Sequence, residues 1–254
     1  MVVIRFSVCV ETIFNELPLA ERIERCAACG AAAFEFWSWR NKDLDTITRA
    51  KEAAGVDVAA FGALDDAFPN DPSTAAAAAA DMQQAIEVAR QIGATGLIVH
   101  AGQERDDVPR PAQLEGVARL LADAAPAANA AHITLLLEPL NVRIDCPGYL
   151  ISQTADALAV IEQAGQPNVK MLFDIYHQYV TEGTVFRSIE THIDRIGHFH
   201  VADVPGRGEP GTGALDFGQI FGLIDSLEYA GYVGLEFRPS GDHMDAVKNT
   251  LDLI

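Results

Sequence analysis

The chain has 254 residues, 49% of them hydrophobic, and its 36 acidic and 18 basic residues give a formal net charge of −18. This length and composition allow a large buried core, either in two small domains or in one α/β barrel. The negative charge would repel nucleic-acid backbones and anionic membrane surfaces, and no basic patch offsets it, so we expect neither as a partner. No run of about 18 uncharged apolar residues occurs either.

The N-terminal residues and the cysteines bear on the cellular compartment. Residues 1–10 become strand-like at once and lack the features of a secretory signal, so we expect a cytoplasmic protein. Two of the four cysteines, Cys26 and Cys29, form a C-x-x-C pattern that can indicate redox chemistry or half of a zinc site. No second such pair exists, and the segment 21–30 has the pattern of an amphipathic helix. We therefore expect Cys26 and Cys29 to be small packing residues.

Strand-like and helical hydrophobic patterns alternate along the whole chain. The predicted strands are residues 3–10, 32–37, 56–61, 96–100, 133–138, 169–174, 196–201 and 233–237. The predicted helices are residues 19–29, 44–54, 73–92, 111–131, 152–163, 185–194, 217–229 and a short one from 242. Asp71 and Pro72 are expected to cap the third helix and to occupy its first position.

Eight such units in about 250 residues match a closed (β/α)₈ TIM barrel. We therefore predict that residues 1–254 form a single domain of this α/β fold. A doubly wound open sheet is the alternative, but it requires a glycine-rich phosphate loop after an early strand, and none is present.

Four of the predicted strands end on a residue that can bind a divalent metal, namely Glu138, Asp174, His200 and Glu236. The carboxyl ends of barrel strands lie at one end of the barrel, so these four side chains can meet there. Three carboxylates and one imidazole suit Mn²⁺, Mg²⁺ or Co²⁺ better than a thiolate-rich zinc site would. An unpaired carboxylate at the end of an apolar strand is costly, and a bound cation offsets that cost. We predict one divalent ion, with Mn²⁺ ahead of the others.

Several segments in the second half of the chain resemble the hydroxypyruvate isomerase family. They are LEPLN at 137–141, KMLFDIYH at 170–177, HFHVADVPGR at 198–207, EPGTG at 209–213 and GYVGLEFRP at 231–239. The first half matches only in layout. The resemblance implies membership of the xylose-isomerase-like TIM barrels, which also include ketose 3-epimerases, inosose dehydratases and an endonuclease branch. It also implies that the same four residues hold the metal.

The sequence departs from the hydroxypyruvate isomerase pattern at one ligand. Those isomerases usually carry glutamine on the seventh strand, whereas this chain has His200, as the resembling ketose epimerases do. The epimerases in turn follow the asparagine of strand five with a glutamate that contacts the sugar. Here Asn141 is followed by Val142, Arg143 and Ile144. The resemblance therefore leaves the substrate open.

The predicted reaction is the isomerisation of a small hydroxy-carbonyl compound, with a hydroxypyruvate-type 2-oxo acid as the first expectation. Aldose–ketose isomerisation and C3 epimerisation both remove a proton from the carbon next to a carbonyl. A metal chelated by the substrate would stabilise the enediolate, and two carboxylates could act as base and acid. We expect Glu138 and Glu236 to fill these two catalytic roles.

Five further residues are candidates for substrate contact. His177 is expected in the loop above the barrel, where the matching histidine of the resembling families contacts substrate oxygens. Arg207 can bind a carboxylate through two parallel hydrogen bonds. His100 ends strand four, Asn141 follows strand five, and Trp37 follows strand two, where it could wall the pocket.

Other functions stay open at this stage. A metal-dependent lyase acting on a keto-inositol or keto-glycoside would use the same scaffold, and a ketose 3-epimerase would use the same chemistry. A DNA-repair nuclease would need a basic face, and a non-catalytic barrel would not need four ligands. The oligomeric state is not determined by the sequence. His198 and Glu35 are expected to be structural, with His198 deeper in the barrel than His200.

Overall fold

A computed structural model describes residues 4–254 and contains a closed barrel of eight parallel strands in sequential order. Each strand pairs with the next, and the last pairs with the first. The strands are β1 Arg5–Cys9, β2 Ala33–Ser38, β3 Asp57–Gly62, β4 Ala94–Val99, β5 Thr134–Leu137, β6 Val169–Asp174, β7 Ile196–Val201 and β8 Tyr232–Leu235. The predicted barrel is confirmed, and the open sheet is excluded. The first residue of the predicted strand 3–10 lies outside the described residues.

Helices cover the outside of the barrel between the strands. They are α1 Leu19–Ala28, α2 Leu44–Ala54, α3 Ala75–Ile92, α4 Arg110–Ala130, α5 Thr154–Ala164, α6 Ile175–Glu182, α7 Phe186–His192, α8 Phe217–Ser226 and α9 His243–Leu251. A 3₁₀ turn, Ile193–Arg195, follows α7. The strict alternation predicted from the sequence therefore fails at one place, because β6 is followed by both α6 and α7.

The sequence analysis missed α6 because one residue ends a strand and begins a helix. Asp174 is the last residue of β6, and its side chain also caps α6 by accepting a hydrogen bond of 2.9 Å from the backbone N–H of His177. Gly183 ends the helix in the left-handed conformation, with φ of +77°. This is the usual use of glycine after a helix. His177 therefore lies in the first turn of α6 and not in a loop.

The predicted cap of α3 was wrong by three residues. The Asp71 carboxylate accepts hydrogen bonds from the backbone and hydroxyl of Ser73, at 2.8 and 2.6 Å, within a turn. The helix begins only at Ala75, and Thr74 is its N-terminal flanking residue. Asp71 thus satisfies a local turn before the helix, which is the competing use of this residue type.

The interior of the barrel is divided into an apolar and a polar half beneath the predicted site. Side chains two residues before a strand end share the face of that end residue. On β3 to β6 they form a separate apolar cluster, made of Ala60, Ile98, Leu136 and Leu172. On β1, β2 and β7 the buried interior residues are polar, namely Ser7, Glu35 and His198. Among the described residues, the ionisable side chains beneath the strand ends therefore lie on the side of β2 and β7, and the side formed by β3 to β6 is apolar.

The cysteine pair lies in the core between helices. Cys26 and Cys29 are buried, free and part of the main apolar cluster, and the Cys29 sulfur lies 3.3 Å from that of Met244. The prediction that they are packing residues agrees with these contacts. Within residues 4–254, none of the helices is both long enough and apolar enough to cross a bilayer.

Candidate functional site

The four predicted ligands converge at the carboxyl end of the barrel. Glu138 directly follows β5, Asp174 ends β6, His200 lies near the end of β7, and Glu236 directly follows β8. Each residue offers one ligand atom, and these atoms all lie within 4.8 Å of one another. All four side chains are buried. Four consecutive strands therefore deliver three carboxylates and one imidazole to a single point.

The imidazole of His200 shows that this cluster fits a divalent cation. Its Nδ1 atom lies 3.4 Å from Glu138 Oε1 and 3.4 Å from Glu236 Oε2. Among the described residues this buried nitrogen has no hydrogen-bond partner. Two donor atoms bound at about 2.1 Å to one ion with tetrahedral angles are separated by about 3.4 Å. These separations suit ligands that share a cation.

In each of the two glutamates, the oxygen that faces away from His200 accepts a hydrogen bond from a ring N–H. His100 Nε2 lies 2.9 Å from Glu138 Oε2, and the carboxylate can only accept, so the imidazole donates. The indole N–H of Trp37 donates to Glu236 Oε1 at 2.7 Å. Each carboxylate thus has one oxygen facing His200 and a second oxygen bound by a donor from another strand end.

The protonation of His177 follows from its partners. The backbone N–H of Asn141 donates to His177 Nδ1 at 3.0 Å, and the Asn141 side-chain nitrogen lies 2.8 Å from the same atom. Since Nδ1 accepts these bonds, the neutral ring carries its proton on Nε2. Nε2 is therefore a donor, and His177 lines the cavity described below.

Asn141 has a different position from the one expected for a substrate contact. It is fully buried, and its side chain donates to Asp145 at 2.7 Å and accepts from the backbone N–H groups of Ile144 and Asp145. It is not among the residues that line the cavity in the described part of the chain. Asn141 therefore orders the loop after β5 and holds His177 in place.

Arg207 reaches into the site from the loop after β7. Its guanidinium pairs with Glu236 Oε2 and lies 3.6 Å from Asp174 Oδ2. The side chain is only 17% exposed, and within residues 4–254 its Nε has no hydrogen-bond partner. It is not a solvated loop residue, and it keeps one buried donor for another acceptor.

The loop that carries Arg207 is folded around one carboxylate. Asp203 accepts hydrogen bonds from four backbone N–H groups at 2.8–3.1 Å, those of Val204, Gly211, Gly213 and Leu215. A Cβ atom at Gly213 would meet the Asp203 carboxylate at 2.5 Å, so glycine is needed there. The proline- and glycine-rich sequence thus gives a loop with a fixed shape.

The charges of the site shift the pKa values of its members in opposite directions. Burial would raise the pKa of Glu138, but the hydrogen bond from His100 and the nearby imidazole of His200 outweigh it and hold that pKa well below its usual range. Burial likewise opposes the ionisation of Glu236, yet the charges of His200 and Arg207 lower its pKa to about 2. The buried imidazole of His200 has a raised pKa because the carboxylates of Glu35 and Glu236 overcome the effect of burial. The carboxylates are therefore ionised, which suits cation binding.

Glu35 lies beside the site, where the sequence analysis had expected a purely structural residue. It is 1% exposed, and its carboxylate lies 2.9 Å from both His198 Nε2 and His200 Nε2. Burial opposes its ionisation, but these two histidines hold its pKa below the usual range. The signal in the sequence was a lone glutamate within the apolar run of β2, although nothing in the sequence named its partners.

A cavity of about 470 Å³ opens above the cluster. Besides Glu138, His200 and Glu236, its lining includes Trp37, His100, Leu140, Cys146, His177 and Arg207. Trp37 stands at its rim with 54% of its surface exposed. The structure therefore brings all the predicted substrate contacts except Asn141 to one small cavity.

A second cavity, of about 330 Å³, opens at the opposite end of the barrel. Its charged groups satisfy one another, because Asp57 accepts hydrogen bonds from Arg5 and Tyr232 at 3.0 and 2.7 Å. The reactive groups of TIM barrels lie at the carboxyl ends of the strands. The cavity above the cluster is accordingly the candidate active site.

The family model described as "Xylose isomerase-like TIM barrel" matches residues 23–254. The chain belongs to this family. It is 32% identical to the 2-oxo-tetronate isomerase of Cupriavidus necator, with 92% of this chain and 93% of that protein covered. It is 30% identical to the hydroxypyruvate isomerase of Escherichia coli, with 93% and 94% covered. A solved structure titled AP endonuclease, family 2, from Brucella melitensis superposes with a TM-score of 0.91 at 27% identity, covering 96% of each chain.

Proposed function

We propose that the protein is a divalent-metal-dependent isomerase that acts on a small 2-oxo acid of the hydroxypyruvate or 2-oxo-tetronate type. The paired arrangement of Glu138 and Glu236 carries this proposal. Each turns one oxygen towards His200 and has its other oxygen fixed at the cavity by a donor. Two relatives that are named as isomerases, and that are 32% and 30% identical to this chain over more than nine-tenths of its length, support the reaction class.

The metal site consists of Glu138, Asp174, His200 and Glu236. An ion bound there supplies Lewis-acid polarisation of the substrate carbonyl. Oxygen-rich donor sets favour Mn²⁺, Mg²⁺ or Co²⁺, and we place Mn²⁺ first. Arg207 balances part of the negative charge of this cluster through its contacts with Glu236 and Asp174.

The proton transfer is assigned to the two glutamates. One carboxylate removes the proton from the carbon next to the carbonyl and becomes a carboxylic acid. The second carboxylate takes the hydroxyl proton of the enediol and delivers it to the neighbouring carbon, while the first returns its proton to the former carbonyl oxygen, so both carboxylates are regenerated. His100 and Trp37 keep the reacting oxygens at the cavity, so that only a small movement brings them to the substrate. General acid–base catalysis of this kind contributes about 10² to 10⁴-fold to a rate.

Substrate recognition is assigned to Arg207 and His177. The buried, unpartnered Nε of Arg207 and one terminal nitrogen form the two-pronged donor that matches a carboxylate. The Nε2 proton of His177 is available to a hydroxyl or carbonyl oxygen. The small cavity suits a compound of a few carbons better than a long sugar chain.

A ketose 3-epimerase is the second candidate. His200 favours it, because the resembling epimerases also use histidine at this ligand, while the isomerases usually carry glutamine. Val142, Arg143 and Ile144 weigh against it, because none of them supplies the glutamate with which epimerases contact the sugar. A metal-dependent lyase on a keto-inositol or keto-glycoside would give a product lighter than its substrate. An isomerase and an epimerase both leave the mass unchanged, so the product mass distinguishes the lyase from them.

A nuclease is disfavoured although a family neighbour carries that title. A net charge of −18 opposes the approach of a phosphate backbone. Among the described residues that line the cavity, Arg207 is the one lysine or arginine, and it is already close to two carboxylates. A non-catalytic barrel is also disfavoured, because a cluster of buried carboxylates is costly to maintain without a function.

The experiment is a panel of 2-oxo acids, tetroses, ketohexoses and inososes incubated with Mn²⁺ in D₂O and followed by NMR. We expect isomerisation and deuterium incorporation with hydroxypyruvate or a 2-oxo-tetronate. Deuterium uptake without net product would still report proton abstraction. Turnover of ketohexoses alone would favour the epimerase, and no uptake from any substrate would reject the proposal.

Two variants test the roles of the glutamates. Glu138→Gln and Glu236→Gln keep an oxygen for the metal but remove the base, so turnover should fall about 10² to 10⁴-fold while Mn²⁺ affinity falls modestly. Glu209→Gln is the matched control, because Glu209 bonds to Ser240 outside the cavity. Near-normal turnover in both site variants would reject this mechanism.

A further inference from the structure

A closed polar network lies behind His200, on the side away from the cavity. The Oε2 atom of Glu35 accepts a hydrogen bond of 2.8 Å from the hydroxyl of Ser7 and one of 2.9 Å from His198 Nε2. The other oxygen, Oε1, lies 2.9 Å from His200 Nε2. All four side chains are at most 2% exposed. The network thus joins β1, β2 and β7 inside the barrel.

The two nitrogens of His200 have different surroundings. Nδ1 is 3.4 Å from two carboxylate oxygens, the separation of ligands around one ion, whereas Nε2 is 2.9 Å from a single oxygen, which is a hydrogen-bonding distance. The angle at Nε2 falls short of a full hydrogen bond, and the two atoms are otherwise unpartnered in residues 4–254.

These distances also distinguish the network from a second metal site. Glu35, His198 and His200 could in principle hold a cation together. Glu35 lies 2.9 Å from the Nε2 atom of each histidine, however, which is a hydrogen-bonding distance. The Ser7 hydroxyl also donates to Glu35 Oε2 at 2.8 Å, so this oxygen already accepts hydrogen bonds from two donors.

Gly234 on β8 makes room for this arrangement. A Cβ atom at this position would lie 2.5 Å from Glu35 Oε1 and 2.7 Å from His200 Cδ2. Those are the groups at the contact between the carboxylate and the ring. A glycine at this place in the strand therefore preserves the approach of Glu35 to His200.

We propose that Glu35 is the positioning residue of the metal site. Its carboxylate accepts a hydrogen bond from the Nε2–H of His200, which selects the tautomer with a free electron pair on Nδ1 and fixes the ring towards Glu138 and Glu236. Ser7 and His198 in turn fix the carboxylate. A carboxylate behind a ligating histidine orients the ring and raises its basicity. This inference rests on the metal site of the proposed function, but not on the substrate or the reaction.

The first test measures Mn²⁺ affinity by calorimetry without substrate. Glu35→Gln should weaken binding about 10 to 100-fold, the usual effect of losing a partner of this kind. Gly234→Ala should weaken it as well, because it disturbs the same contact without removing a charge. Gln113→Leu is the control for general destabilisation, since Gln113 is buried in another hydrogen-bond network at the start of α4. It should lower the melting temperature and leave the Mn²⁺ affinity unchanged.

The second test needs no variant. Long-range ¹H–¹⁵N NMR of the wild-type protein loaded with Zn²⁺ should show His200 coordinated through Nδ1 and protonated at Nε2. Coordination through Nε2, unchanged Mn²⁺ affinity in Glu35→Gln, or two ions bound per chain would overturn the proposal, as would a wild-type protein that binds no divalent ion. Normal Mn²⁺ binding that falls in Glu35→Gln, with no turnover of any 2-oxo acid, would support the role of Glu35 and reject only the proposed reaction.

Discussion

The indole N–H of Trp37 donates a hydrogen bond of 2.7 Å to Glu236 Oε1, although the two residues are 199 positions apart in the chain. Trp37 is otherwise exposed at the rim of the cavity. An aromatic residue at a barrel rim needs no polar partner to be stable there, so this bond is a specific feature of the site. It holds the oxygen of Glu236 that does not face His200.

Trp37→Phe should therefore lower kcat more than it changes KM. Phenylalanine keeps an aromatic wall but cannot donate, so Oε1 of Glu236 loses the hydrogen bond from the indole while Oε2 keeps its contact with Arg207. A lost hydrogen bond to a charged group is worth about 1.5 to 3 kcal/mol, which corresponds to a fall of roughly 10 to 150-fold. Steady-state kinetics with the best 2-oxo acid would measure this. A rise in KM alone would show that Trp37 serves only as a wall.

Asp174→Asn should abolish tight metal binding while leaving the fold intact. Asparagine can still accept the hydrogen bond from His177 N–H, so α6 keeps its cap. The metal loses one of three anionic ligands, and we expect its affinity to fall more than about 100-fold, beyond the loss expected for a partner behind a ligand. Elemental analysis and calorimetry with Mn²⁺ would measure this. Asp71→Asn, in a turn outside the cluster, is the control and should keep full metal content.

The sequence predicted the barrel and the four residues that converge at the carboxyl end of its strands, because those features repeat locally. Each strand ends an apolar run, and a carboxylate or histidine at such an end is visible without knowing its neighbours. The side chains packed behind these four residues are different, since Glu35 accepts a hydrogen bond from His198 across 163 residues of chain. Their partners depend on which strands face each other across the barrel, and no local pattern contains that information.

The errors have similar causes. The sequence pattern does not predict α6, because Asp174 ends β6 and caps α6 at the same time. Asn141 was expected to reach the substrate, but its amide satisfies the backbone of its own loop and the ring of His177. In both cases a short polar side chain at a strand end bonds first to the nearest backbone groups.

Cys146 should be the one cysteine that a thiol reagent labels in the native protein. Cys9, Cys26 and Cys29 are buried, while Cys146 is half-buried in the lining of the cavity. Burial, followed by the charge of Asp145, raises its pKa, so the reactive thiolate is scarce at pH 8 and the labelling rate should rise steadily towards higher pH. We expect one thiol per chain in the folded state and four after unfolding.

The position of Cys146 gives this labelling two controls. Cys146→Ser should abolish labelling of the native protein. A saturating 2-oxo acid should protect the wild-type thiol, because Cys146 lines the cavity in which we propose that the substrate binds. Labelling of more than one cysteine below the unfolding temperature would contradict the burial of the other three. Labelling of Cys146 that substrate does not slow would place the substrate elsewhere.

Arg207→Lys should separate acid substrates from neutral ones. Lysine keeps the positive charge beside Glu236 and Asp174 but lacks the planar pair of donors that a carboxylate binds. If Arg207 contacts the substrate carboxylate equally in the ground state and the transition state, KM for a 2-oxo acid should rise while kcat changes little. A neutral ketose that the enzyme turns over has no carboxylate for residue 207 to bind, so its KM should stay unchanged. Melting with and without Mn²⁺ would check that the variant still folds and binds the ion. An equal rise in KM for acid and neutral substrates would show that Arg207 shapes the cavity and does not recognise the carboxylate.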